Sequence, residues 1–78
     1  MQFQDIVNKL IVELRSYKSA LEMTYNTHQH RIVVKGFNRS TKRWEEIVNL
    51  QMPDKLHIHQ YQEYFNEIKF WDQDNMQD

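Results

Sequence analysis

Apolar residues at the start of the chain recur at steps of three and four: Phe3, Ile6, Val7, Leu10, Leu14 and Tyr17. That spacing predicts one stripe of an amphipathic helix, with Gln4, Asp5, Asn8, Lys9, Glu13 and Arg15 on the other side. Ile11 sits at the edge of the stripe and Val12 falls off it. Asp5 in the first turn and Lys18 near the last suit the helix dipole. Burying six such residues would supply about 10–18 kcal/mol of gross stabilisation before entropy is subtracted.

The period then changes from 3.6 to 2. Leu21, Met23 and Tyr25 alternate with Glu22, Thr24 and Asn26, which predicts a half-buried strand. Asn26 to Gln29 is a polar interruption suited to a turn. Arg31 to Phe37 is rich in β-branched residues and predicts a second strand, in which Gly36 marks a bulge or a close backbone approach. After the loop Asn38–Lys42, a third strand is expected to place Trp44, Val48, Leu50 and Met52 on one face, with Glu46 as the exception. Short connections make an antiparallel meander the economical topology.

Pro53-Asp54 stops that strand. Leu56-His57-Ile58-His59 fits either a short fourth strand or a first helical turn. From Tyr61 the helical period returns through Tyr64, Phe65, Ile68 and Trp71, leaving Leu56 and Phe70 off the stripe. Residues 73–78 read as a frayed acidic tail. The expectation is a single α+β domain over residues 1–78: an N-terminal helix, a three-stranded antiparallel meander and a C-terminal helix, with both helices packed on one sheet face.

Composition sharpens this picture. The chain has 78 residues, no cysteine, one glycine and one proline. That length holds one small core, and the missing cysteines exclude a disulfide staple or a thiolate metal site. Ten aromatic residues are the packing substitute. No apolar run reaches the length of a membrane span, and no leader pattern is seen, so a cytoplasmic protein is expected. A net charge of −1 excludes a strongly basic nucleic-acid coat or an acidic DNA mimic.

The charge pattern says more than its total. Arg31, Lys35, Arg39, Lys42 and Arg43 fall in an acid-free run with Phe37 inside it and Trp44 directly after it, whereas Glu63, Glu67, Asp72, Asp74 and Asp78 face Lys69 alone near the end. Cations interleaved with aromatics suit an acidic protein surface or single-stranded nucleic acid. They equally suit a solvated hairpin whose charge discourages edge pairing. Two His-x-His spacings, His28/His30 and His57/His59, put paired imidazoles on one side of a strand and could hold a metal if they met in space. Catalysis finds little support. Ser16, Ser19 and Ser40 lack a nucleophile setting, adjacent Glu45 and Glu46 point to opposite strand faces, and Glu63 and Glu67 share a polar helix side.

The leading expectation is a small non-enzymatic protein-binding module with no cofactor. Its partner-binding residues would be Arg31, Lys35, Arg39, Lys42, Arg43 and Trp44, with Phe70 and Trp71 as a second anchor, since aromatics and arginine dominate interface cores. Its partner would be a host protein with an acidic or nucleic-acid-facing groove. A homodimer is a further option. A nucleic-acid-binding regulator using the same hairpin ranks second, and a metal-binding module through the four histidines third. In outline the chain resembles small stand-alone proteins of phages and mobile elements, several of which inhibit defence or repair enzymes; this likeness rests on size and fold make-up, and implies an inhibitor without assigning residue roles.

Overall fold

The computed structural model describes residues 2–52 and 58–77, with the side chains of 62–77 in the second stretch. Helix α1 (Phe3–Leu14) is followed by strands β1 (Leu21–Asn26), β2 (Arg31–Asn38) and β3 (Arg43–Gln51), then by helix α2 (Ile58–Asn75). The strands form one antiparallel sheet in the order β1-β2-β3. The α+β meander is therefore as expected, with both helices on one sheet face.

The α1 stripe buries Phe3, Ile6, Val7 and Leu10, the spacing of a single helix face. At its start the Asp5 carboxylate accepts the Gln2 backbone N–H at 3.4 Å. The helix stops at Leu14, where the Ser16 hydroxyl donates to the Glu13 carbonyl at 2.7 Å and competes with further helical turns. Lys18 consequently lies beyond the last turn and does not serve the helix dipole as the spacing suggested. Tyr17, past the helix end, still packs against the core.

On β2, Ile32 and Val34 are fully buried beneath the helices. Cross-strand partners share a face, so Leu21, Met23 and Tyr25 of β1 join Gly36, Val34 and Ile32 on that side. On β3, Val48 and Leu50 do the same. Between Val34 and Lys35 the register of β3 shifts: Val48 opposes Val34, whereas Glu46 opposes Lys35. Ile47 is the extra residue, a β-bulge. The bulge inverts the parity of everything before it, so Trp44 does not share a face with Val48, Leu50 and Met52. It points to the helix-free side with Phe37, its cross-strand partner.

The lone glycine has a steric reason. A Cβ at Gly36 would stand 2.6 Å from Trp71 Cζ3 and 2.8 Å from Ile47 Cδ1. Only a residue without a side chain lets the indole lie on β2 at that point.

Helix α2 extends three residues into the segment expected to fray, ending at Asn75. Its buried stripe continues from Phe65 and Ile68 into Asp72, with Asn75 half-buried below it. The Asp72 carboxylate accepts the backbone N–H groups of Ser19 and Lys18 at 2.8 and 3.3 Å. It thereby supplies partners for two partly buried amides in the α1–β1 connection. The choice between strand and helix at residues 54–57, and the position of Leu56, lie outside the described residues; Ile58 and His59 belong to the α2 backbone. Among the described residues no helix is long and apolar enough to cross a membrane.

Candidate functional site

Both hairpin turns are built by an asparagine. In the β1–β2 turn the Asn26 side-chain oxygen accepts the backbone N–H groups of His28 and Gln29 at 2.9 and 3.0 Å. In the β2–β3 turn the Asn38 oxygen accepts those of Ser40 and Thr41 at 2.9 and 3.1 Å. An asparagine can organise a turn in this way because its short side chain mimics the backbone. Each turn closes four residues on through a left-handed residue, His30 (φ 52°) and Lys42 (φ 58°).

The second turn carries the cations. Arg39, Lys42 and Arg43 are all exposed on it. Trp44 follows directly, 50% exposed and edge-on to Phe37 with ring centroids 5.8 Å apart. The base of the turn is clamped to the end of α2. Asn75 donates from its side-chain nitrogen to the Phe37 carbonyl and the Ser19 hydroxyl, each at 2.9 Å, and accepts the Arg39 backbone N–H at 2.9 Å. The Arg39 guanidinium also reaches Met76 Sδ at 3.9 Å. A cationic tip on a pinned backbone is the outcome.

The other two expected cations have different surroundings. Lys35, on the helix-free face, is flanked across the sheet by Glu22 on β1 and Glu46 on β3. Opposite charges at directly facing positions compensate one another. Arg31 donates to Asn49 Oδ1 at 2.8 Å and reaches Gln51 Oε1 at 3.5 Å. Of the five basic residues, Lys35 faces carboxylates across the sheet, Arg31 is bonded to neutral amides, and Arg39, Lys42 and Arg43 cluster at the tip, beside a depression lined by Glu45 and Asp74.

Trp71 and Phe70, expected together as a second anchor, have different surroundings. Trp71 packs on Gly36, and its indole N–H donates to Glu45 Oε1. Its ring is engaged in holding α2 to the sheet. Phe70 is 58% exposed, but it stands on the helix layer, while Trp44 stands on the opposite face of the sheet. One flat partner surface cannot cover both.

The histidines are also separated in role. His28 is exposed in the first turn, whereas His30 stacks on Phe3 with ring centroids 4.9 Å apart and planes 12° from parallel. Its carbonyl accepts the Met52 N–H at 2.8 Å. The side chains of His57 and His59 lie outside the described residues. Among the described residues no group of three His, Cys, Asp or Glu side chains is placed to hold a metal ion. An open depression of about 610 Å³ between the α1–β1 connection and α2 has Lys18 and Lys69 at its rim. Its carboxylate, Asp72, is already bonded to the connection's amides.

Asp72, Asn75 and the paired turn asparagines are the residues that apolar periodicity does not reveal. The repeated asparagine at the end of each strand preceding a turn is the sequence signal for the last two. No family model, curated protein or solved structure matches the chain.

Proposed function

We propose that the protein is a small non-enzymatic binding module whose cationic β2–β3 tip docks on an acidic or nucleic-acid-facing groove of a partner protein. The observation that carries this reading is the trio Arg39, Lys42 and Arg43, held together on a backbone fixed by Asn38 and Asn75, with Trp44 half-exposed beside it. A backbone fixed before encounter loses less entropy on binding, and clustered like charges steer association. Trp44 adds a rigid apolar contact of the kind found at hot spots. The mode of action would be occlusion of the groove, as in the small phage and mobile-element inhibitors that the chain resembles in outline. A cysteine-free chain of this size suits the reducing cytoplasm.

The test is an affinity capture from host lysate with the wild type and the double variant Arg39→Glu/Arg43→Glu, with and without nuclease. The reading expects a stoichiometric protein partner that survives nuclease and is lost, by about tenfold or more in affinity, with the charge-reversed tip. Equal capture by the folded double variant would remove the tip from the interface.

A second reading is favoured by Trp44 standing on an open sheet face next to the same cations, since an exposed indole can stack a base while cations meet phosphate. It expects binding to single-stranded oligonucleotides alone, with a log–log salt slope of about −2 if three phosphates are met. Protein capture abolished by nuclease would select it.

A further inference from the structure

The two free edges of the sheet are built differently. On β3 the bulge at Ile47 and the charges of Arg43, Glu45 and Glu46 interrupt the edge, features that discourage a strand from adding there. β1 pairs with β2 residue for residue over all six positions, has Glu22 as its one charge and contains no proline. It is regular and unguarded.

The hydrogen-bond phase shows which groups it offers. The Phe37 N–H donates to the Ala20 carbonyl at 3.0 Å. In an antiparallel ladder such bonded pairs alternate, so Ala20, Glu22, Thr24 and Asn26 turn their backbone groups toward β2. Leu21, Met23 and Tyr25 turn theirs toward the open edge. The same three residues carry their side chains on the helix side, opposite Gly36, Val34 and Ile32. Free backbone groups and apolar side chains therefore coincide.

We propose that β1 pairs antiparallel with β1 of a second copy, making a six-stranded sheet with all four helices on one face. A two-fold axis normal to the sheet requires facing residues to share both side-chain face and hydrogen-bond phase. Met23 opposite Met23 of the second copy, with Leu21 opposite Tyr25 at each end, meets both conditions and uses all three free positions. A register displaced by two residues leaves one of them unpaired. In the favoured register Tyr25, 47% exposed in the single chain, lies across from Leu21 of the second copy. Glu22 faces Thr24, so no like charges are opposed. The two helix-free faces become continuous, and the cationic tips point to opposite ends because the axis reverses the strands. The pairing does not depend on what the tips bind.

Sedimentation of the whole chain over a concentration series tests this. The expected mass rises from 9.7 kDa toward twice that value. Tyr25→Pro removes an edge-facing N–H and an exposed side chain but no bond to β2. It should weaken self-association by at least about tenfold while leaving the circular dichroism of the fold. Independently, Met23→Cys introduces the chain's only thiol. Facing hydrogen-bonded residues in an antiparallel pair have Cα atoms about 5.5 Å apart, within disulfide reach, so oxidation should yield a covalent dimer, and Asn49→Cys on β3 should not. A chain that stays monomeric at every concentration, a dimer indifferent to Tyr25→Pro, or equal cross-linking through Asn49→Cys would each overturn the pairing.

Discussion

The β1–β2 and β2–β3 turns use one backbone device for two purposes. Each is organised by an asparagine that accepts two successive amide N–H groups, and each ends on a left-handed non-glycine residue. They differ in what that last residue does. His30 turns back and stacks on Phe3, binding the first turn to α1. Lys42 remains exposed, and the task of fixing the second turn passes to Asn75 of α2. The comparison teaches that a turn's geometry and its surface chemistry are separable. When the anchor comes from a neighbouring helix, the turn's own side chains are released for recognition, and here those side chains are cationic.

The contrast breaks most severely at Phe3. Its ring is buried as well as stacked on His30, so Phe3→Ala should cost about 3–5 kcal/mol, a large part of the stability of a small domain. Urea denaturation is the measurement. Amide exchange should rise at His28 and Gln29 before it rises at Ser40 and Thr41. Uniform exchange at both turns would mean that the stack does not hold the first one.

Asn75→Ala is the matching disruption of the second turn. It removes three hydrogen bonds and leaves the Phe37 carbonyl and the Arg39 N–H without that partner. At about 1 kcal/mol per net bond, discounted because the site is only partly buried, the loss should be about 2 kcal/mol. The tip keeps its charge in this variant but loses its fixed base. Denaturant titration measures the stability loss, and exchange at the Arg39 amide should rise selectively.

Much of this architecture could be read from periodicity alone. The α1 stripe of Phe3, Ile6, Val7 and Leu10, the alternation of β1 and the Tyr64–Trp71 pattern each record one buried face. What escaped follows from interactions distant in sequence. The parity break at Ile47 left only indirect marks, Gly36 as a site of bulge or close approach and Glu46 as the exception on its strand; its place beside the Trp71 indole depends on another element. Asp72 and Asn75 sit on the buried stripe of α2, but a stripe traced by apolar residues ends at Trp71, passing over Asp72 and leaving Asn75 in a fraying tail. The tip cations were visible as a cluster. Their separation from Lys35 was not, since Glu22 and Glu46 become its neighbours only through strand register.

The smallest effect offers the sharpest comparison, because it should differ in sign. His30 and Lys42 adopt nearly the same left-handed backbone, φ 52° and 58°, and a side chain there costs about 1 kcal/mol that glycine avoids. Glycine also gives back part of that gain by loosening the unfolded chain. Lys42→Gly, which gives up an exposed side chain, should therefore raise stability by about 0.5 kcal/mol. His30→Gly enjoys the same relief but forfeits the stack on Phe3, about 0.5–1.5 kcal/mol for an aromatic pair, together with the burial of the ring. It should lower stability by about 1 kcal/mol. Paired denaturation curves decide the matter. Opposite signs would show that the first turn holds its residue for packing and the second leaves its residue free; equal signs would mean that the left-handed strain alone governs both turns.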